Sequence, residues 1–164
     1  MKMLTLTSTL TGVIAALAVI GATAPTIASA QAGASTFTFT STSNAPTQLG
    51  GNGKNGVPYS GQHWTGSSTG KTSTGAATKT SFSCVMMTQP PTDTLFQAHM
   101  LCDVTASDGG YSATMGCQFI DVTKGEASCI GGLYGTSGAY AGRRGSITNH
   151  GVGSASSGTG QWFK

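Results

Sequence analysis

Apolar and polar side chains alternate one by one through three segments of the chain. These segments are SFSCVMM (81–87), TLFQAHMLCDV (94–104) and YSATMGCQF (111–119). Successive side chains of a β-strand point to opposite faces of the sheet, so this alternation predicts strands that are buried on one face. No long segment repeats apolar residues at the helical period, and the dense glycine would break most helices. The pattern therefore predicts an all-β fold.

Turn-forming sequences separate the alternating segments and predict an antiparallel meander. These sequences are QPPTD (89–93), SDGG (107–110) and TKGE (123–126), and their residues favour tight turns. Weaker strand candidates lie on both sides, at STFTFTSTS (35–43), VPYSGQHWTG (57–66), KTSTGAATKTSF (71–82), GSITNHGVG (145–153) and GTGQWFK (158–164). GGNGKNG (50–56) is expected to be a loop. Eight or nine short strands separated by turns predict an all-β barrel, with a β-sandwich as the alternative.

The N-terminus has the three parts of a secretory signal peptide. Lys2 precedes an apolar run at 13–20, and Ala28-Ser29-Ala30 matches the small-residue pattern at which such peptides are cleaved. The run is shorter than the ~20 residues that a membrane-spanning helix needs. We therefore expect residues 1–30 to be removed and the protein to be exported, either periplasmic or secreted, with no membrane span after cleavage.

The remaining 31–164 have the length of a single domain, in which we expect 31–56 to be partly flexible. Charged residues are only 8% of the chain, compared with about 25% in typical proteins. The lysines occur singly and form no basic stripe, so we expect no nucleic-acid partner. STGKT (68–72) ends like a phosphate-binding loop, but Thr65 stands where that motif requires its first glycine, which excludes a nucleotide site there.

Four cysteines, Cys84, Cys102, Cys117 and Cys129, lie in the region of strongest alternation. An even number in an exported protein predicts two disulfides. No two of them are close enough in sequence to form the knuckle of a zinc site. Four cysteines allow three pairings, and we favour Cys84–Cys102 with Cys117–Cys129, because each bond would join a single hairpin. The arrangement of faces also permits Cys102–Cys117, so the sequence leaves the pairing open.

Side chains capable of acid–base chemistry are few and dispersed. The chain has three histidines, four aspartates and one glutamate. His99 and Asp103 share a strand face, but four residues along a strand separate two side chains by about 13 Å. His63 and His150 are isolated in the sequence. The sequence therefore assigns no catalytic residue, no metal ligand and no cofactor.

Methionine and phenylalanine are frequent on the predicted apolar faces. Methionine adapts to irregular shapes and can line an apolar ligand site. An eight-stranded barrel is just wide enough either to be filled by side chains or to hold one small ligand. The residues expected to line such a lumen are Phe82, Met86, Phe96, Met100, Met115 and Phe119.

The segment GGLYGTSGAYAGRRGSI resembles the glycine signature of allene oxide cyclase-like and dirigent-like β-barrels. The matching positions are Gly131, Gly132, Gly135, Gly138, Tyr140, Gly142 and Gly145. CIGGL (129–133), GAYAG (138–142) and GTGQW (158–162) are also similar to segments of small exported bacterial proteins of unassigned activity. The resemblance implies an eight-stranded barrel with an apolar lumen, in which the plant members hold an oxylipin or phenolic radicals. No catalytic residue is carried over.

Within this segment, Gly131 and Gly132 are expected to end a strand, Tyr140 to pack back on the sheet, and Arg143-Arg144 to lie in water. The leading expectation for function is an exported, non-catalytic barrel that binds a small apolar molecule. The alternatives are an isomerase or cyclase of the allene oxide cyclase type and a structural or cell-surface module. The sequence does not predict the oligomeric state.

Overall fold

The computed structural model describes residues 35–52, 58–88 and 95–163. These residues form nine β-strands: β1 Ser35–Ser43, β2 Thr47–Asn52, β3 Pro58–Thr72, β4 Ala77–Thr88, β5 Ala98–Ala106, β6 Gly109–Asp121, β7 Glu126–Gly138, β8 Arg144–Val152 and β9 Ala155–Trp162. The predicted signal peptide at 1–30 and the predicted turn at 89–93 lie outside the described residues. In the described part of the chain, no helix is long and apolar enough to cross a membrane.

Eight of the strands close into an antiparallel barrel. Each strand from β3 to β9 pairs with the next, and β1 pairs with both β9 and β3 to complete the ring. β2 pairs with β3 and continues the line of β1 along it. The predicted eight-stranded barrel is confirmed, with β2 as one additional strand.

The strands are staggered, as closure into a barrel requires. The stagger can be followed from Phe37 by stepping once around the ring to the residue directly opposite on each next strand. The steps lead to Gly160, Ile147, Gly131, Met115, Met100, Met86, Gln62 and finally Gln48. Gln48 lies well beyond Phe37 along the chain, so the strands tilt against the barrel axis. A tilted eight-stranded barrel is wider than an upright one, and this leaves room at its centre.

Three features of the strands differ from the sequence-based expectation. β3 runs without interruption through Pro58–Thr72, although its polar and glycine-rich sequence gave only a weak signal. β2 includes Gly50 and Gly51, which the sequence placed in a loop. β7 continues past Gly131 and Gly132 to Gly138, so these glycines do not end a strand. At Gly131 a side chain would collide with Met115, whose Cγ would lie 2.8 Å from an added Cβ.

Two disulfides join neighbouring strands on the inner face of the barrel. Cys84 bonds to Cys102 across β4 and β5, and Cys117 bonds to Cys129 across β6 and β7. Both bonds link residues that face each other in the ladder. The pairing favoured from the sequence is therefore confirmed.

Aromatic side chains pack together at the end of the barrel formed by the β7–β8 loop. Tyr111, Tyr140 and Trp162 lie with ring centroids 5.2 to 5.3 Å apart. Arg143 lies over the Trp162 ring at 5.2 Å. Trp162 is only 4% exposed, so this cluster covers that end of the barrel.

Candidate functional site

The inward faces of the strands enclose a cavity of about 750 Å³. Its wall includes residues of the β6–β7 turn, Val122 and Gly125, and of the β8–β9 turn, Gly153 and Ser154. Val122 is 79% exposed, so the cavity opens to solvent at this end. The aromatic cluster lies at the opposite end. The described part of the lumen wall thus runs from these two turns to the aromatic cluster, where Tyr111 belongs to it.

Five of the six residues expected to line the lumen do so, namely Phe82, Met86, Met100, Met115 and Phe119. The three methionines are direct neighbours on β4, β5 and β6. The lumen wall next to them carries Cys84, Cys102 and Cys129 of the disulfides. This side of the lumen is apolar and rich in polarisable sulfur.

Phe96 is a correction to the expected set. It precedes β5, which begins at Ala98, so the strand alternation does not extend to it. Its ring lies over Gly116 and beside His99, at a centroid distance of 5.7 Å from the imidazole. His99 is exposed and pairs with Gly116 in the ladder. Phe96 therefore packs on the outer surface of the barrel.

Further aromatic residues line the lumen that the sequence did not single out. Phe37, Phe39 and Trp64 belong to its wall. The Phe37 ring lies against Gly160, and the Phe39 ring lies against Gly158, on the neighbouring strand β9. A glycine lets an aromatic ring lie flat on the adjacent backbone, which keeps the ring close to the wall. The signal for them was the FTF alternation in β1, which places both phenylalanines on the same face of the strand.

The polar side chains that line the lumen include two hydroxyl pairs. Ser41 bonds to Ser156 at 2.5 Å, and Ser68 bonds to Thr80 at 2.5 Å. The carboxamide oxygen of Asn149 is different, because it is buried and has no hydrogen-bond partner among the described residues. Asn149 lies between Cys129 and Gly158 in the ladder, so the two residues directly opposite it offer no hydrogen-bonding side chain.

The side chains that line the lumen in the described part of the chain include no Asp, Glu, Lys, Arg or His. His63, His99, His150, Asp103 and Asp108 are exposed. Asp121 forms an ion pair with Lys124 at 3.0 Å in the β6–β7 turn. Hydrogen bonds from Thr123 and Lys124 lower the pKa of Asp121. The lumen is therefore neutral as well as largely apolar.

Tyr111 is a titratable residue that does line the lumen. Burial, and secondarily the nearby Tyr140 hydroxyl, raises the pKa of Tyr111 to about 12. Burial also raises the pKa of Tyr140, with a further contribution from Asp108. Both phenols keep their protons at neutral pH, so neither adds a charge to the closed end.

A chain of three polar groups lies on the outer surface, at β7 and β8. The Ser128 hydroxyl bonds to His150 Nδ1 at 2.9 Å, and His150 Nε2 lies 3.5 Å from Glu126 Oε1. Serine, histidine and a carboxylate also form hydrolytic triads, but a triad needs an oxyanion site beside the serine. These residues lie in the ladder of a closed sheet, where backbone amides are paired with neighbouring strands. We assign them no catalytic role.

The two arginines of the glycine-rich segment have different environments. Arg143 is half-buried, lies over Trp162 and donates a hydrogen bond to Ser35 Oγ at 3.0 Å. Arg144 is exposed and lies over the Tyr134 ring at 4.2 Å. The expectation that both lie in water is wrong for Arg143, while Tyr140 packs back onto the barrel as expected.

Apolar side chains also occur outside the barrel, on an outer apolar face formed by Val85, Met87, Leu101 and Ile130. Each of them is between 47% and 60% exposed. Val85 and Leu101 are paired across β4 and β5. This face is a second surface on which an apolar probe could adsorb, so a binding test must separate it from the lumen.

The fold and the cavity together define a class of protein: an antiparallel, disulfide-linked β-barrel with a central lumen whose described wall carries no charged side chain. A comparison of the chain with protein-family models finds no match, and a comparison with curated proteins finds none either.

Proposed function

We propose that this chain is an exported barrel protein that holds a small apolar ligand in its lumen and does not act on it chemically. The observation that carries the proposal is the cavity of about 750 Å³ inside the barrel. Ligand pockets have volumes of about 300–1,000 Å³, and most of their lining is apolar with a few polar groups. The lumen fits this description in size and in lining.

The described lumen wall carries no carboxylate, imidazole or amine, and the pKa of Tyr111, its phenol, is raised to about 12, which supports a binding role over an enzymatic one. An isomerase or cyclase needs a group that moves a proton or stabilises a charge at the reacting atom. The described histidines are exposed, and the carboxylates of Asp121 and Glu126 are engaged with Lys124 and His150. An allene oxide cyclase-like activity would have to rely on neutral amide, hydroxyl and phenol groups.

A purely structural module is the other alternative, and it predicts an interior filled by side chains. Small barrels without ligands close their interior with large residues. Here several inward positions are glycines, such as Gly158 and Gly160, whose space is taken by rings lying along the wall. The resulting hollow centre favours a ligand over a solid core.

Export is part of the proposal and is supported by two features of the chain. Disulfides form and persist in oxidising compartments outside the cytosol, and all four cysteines are disulfide-bonded. The N-terminal sequence has the pattern of a cleaved signal peptide. The resemblance of the glycine-rich segment to allene oxide cyclase-like barrels agrees with the proposed fold and lumen.

The test is a fluorescence titration of residues 31–164 with N-phenyl-1-naphthylamine, a neutral apolar dye. We expect saturable binding of about one dye per chain, with an affinity in the micromolar range that is typical of a small apolar ligand. Met86→Trp fills part of the lumen and should abolish or strongly weaken binding. Met87→Trp is the matched control, because Met87 is the next residue on β4 and lies on the outer face, where it is 60% exposed.

Circular dichroism of both variants should match that of the unchanged chain. If Met87→Trp weakens dye binding as much as Met86→Trp does, the dye does not enter the lumen. Absence of saturable binding by the unchanged chain would remove the proposal.

A further inference from the structure

The neutrality of the lumen restricts the chemical class of its ligand. An ionised group that leaves water loses several kcal/mol of hydration free energy unless a partner of opposite charge replaces that hydration. The described lining of the cavity offers no charged side chain of either sign. A carboxylate, phosphate or ammonium group inside this lumen would therefore be buried without a counter-charge.

Among the described residues, the charged groups at the ends of the lumen do not change this conclusion. Lys124 and Asp121 at the mouth form an ion pair with each other. Arg143 at the closed end is engaged with Ser35 and with the Trp162 ring. Tyr111 remains protonated up to strongly alkaline pH because burial raises its pKa to about 12.

The polar groups of the lumen differ in whether they need a ligand. The pairs Ser41–Ser156 and Ser68–Thr80 satisfy hydrogen bonds within the protein. The Thr88 hydroxyl accepts a bond from the Ser60 amide at 2.9 Å. The Asn149 carboxamide oxygen lacks a partner among the described residues, and a buried polar atom without a hydrogen bond is destabilising.

Asn149 lines the cavity beside a disulfide and an aromatic ring. It pairs in the ladder with Cys129 on one side and with Gly158, against which the Phe39 ring lies, on the other. A ligand that lies beside Phe39 could therefore bring its polar group next to the Asn149 carboxamide oxygen, which is an unsatisfied acceptor in an apolar environment. A hydroxyl group can both donate and accept, so it can bond to a carboxamide.

We propose that the lumen selects uncharged molecules with an apolar body and a hydrogen-bond-donating group such as a hydroxyl, that Asn149 accepts this bond, and that ionised amphiphiles are excluded. This inference rests on the proposed binding function and specifies the chemistry of its ligand. It predicts an order of affinity among molecules of the same chain length. The alcohol binds best, the methyl ester binds less well because it cannot donate, and the carboxylate binds worst.

The experiment displaces N-phenyl-1-naphthylamine with dodecan-1-ol, methyl dodecanoate and dodecanoate at about pH 8, where the acid is ionised. We expect dodecan-1-ol to bind about fivefold more tightly than the ester, as one net hydrogen bond contributes. We expect it to bind at least about tenfold more tightly than dodecanoate, because the carboxylate loses its hydration.

Asn149→Leu retains the size of the side chain and removes the acceptor. In this variant the preference for the alcohol over the ester should disappear, with both affinities calculated from the dye affinity remeasured for the same variant. Thr148→Leu is the matched control, since Thr148 is the preceding residue of β8 and is exposed on the outer face. It should leave the order of affinities unchanged.

The outcomes separate this inference from the function on which it rests. Equal displacement by dodecanoate and dodecan-1-ol, with dye binding that Met86→Trp still abolishes, would overturn the selectivity and leave the binding function intact. An alcohol preference that persists in Asn149→Leu would overturn the role of Asn149. If the dye itself does not bind, the binding function fails and this inference fails with it. The comparison of alcohol and carboxylate uses the unchanged chain, so the selectivity remains testable even if Asn149→Leu does not fold.

Discussion

Glycines on the inner face decide how much space the aromatic side chains leave in the lumen. Phe37 and Phe39 follow each other on the inner face of β1, with ring centroids 6.3 Å apart. Each ring lies against a glycine of β9, Gly160 or Gly158. With a side chain at those glycines, the rings would have to move toward the centre. The size of the cavity is therefore set at single residues.

Gly160→Ala tests this relation. An added Cβ would lie 2.5 Å from Phe37 Cε1, so we expect the free energy of unfolding to fall by about 1–3 kcal/mol, as in other overpacked cores. Dye affinity should also fall, because the displaced ring enters the lumen. Gly132→Ala is the control, since the nearest atom to its added Cβ is the Gly145 oxygen at 3.8 Å. Urea denaturation measures the stability of both variants, and equal stabilities would refute the packing relation.

Tyr111 provides a prediction about pH. Its pKa in the folded protein is raised to about 12, mainly by burial, whereas an unfolded tyrosine titrates near pH 10. The unfolded chain therefore releases this proton first, and stability falls as the pH rises from about 10 to 12, by at most about 2–3 kcal/mol. Below about pH 10 both states are protonated and this group causes no change.

Tyr111→Phe should make the stability less dependent on pH in that window, as measured by urea denaturation at a series of alkaline pH values. Tyr59→Phe is the control, because Tyr59 is 59% exposed. An unchanged alkaline dependence in Tyr111→Phe would show that other groups cause the loss.

At the level of strands, the sequence predicted the elements in which apolar and polar residues alternate strictly. β5 and β6 follow from strict alternation, and the burial pattern repeats it throughout β5 and from Ala113 onward in β6. β2 and the middle of β3 could not be predicted with the same force, because Gly, Ser and Thr occupy both of their faces. Their strand structure depends on pairing with neighbours, which is a property of the closed ring.

The candidate site was predictable to the extent that side chains alternate within a strand. Met86, Met100 and Met115 could be assigned to one interior because each lies in an alternating segment. Phe96 was misplaced because the sequence does not show where β5 begins. Asn149 was not identified, since a polar residue in the short sequence SITNH gives no sign of whether it faces water or the lumen.

The two disulfides each stabilise one hairpin, and we expect their contributions to be similar. Cys84–Cys102 closes a separation of 18 residues and Cys117–Cys129 one of 12. The entropy of closing such loops predicts a loss of about 2–4 kcal/mol when either bond is removed. Chemical denaturation of the variants Cys84→Ser/Cys102→Ser and Cys117→Ser/Cys129→Ser measures this loss. Four free thiols in the denatured, unreduced protein would contradict both bonds.

At the scale of the whole molecule, closure of the ring and the neutrality of its described inner wall together give the barrel an uncharged interior. A closed ring leaves eight strands whose inner faces meet at a common centre, and the charged groups of the described residues lie outside that centre. The β6–β7 and β8–β9 turns lie at the mouth, and the aromatic cluster lies at the other end. The proposed function therefore assigns this interior a small, uncharged ligand.

The most direct test of ligand binding in the lumen is a crystal structure of residues 31–164 with bound N-phenyl-1-naphthylamine. The account predicts one dye molecule inside the barrel, in contact with Met100 and Phe82 and reached from the end at Val122 and Gly153. A barrel whose interior is filled by its own side chains, with the dye on the outer apolar face at Val85 and Leu101, would contradict it.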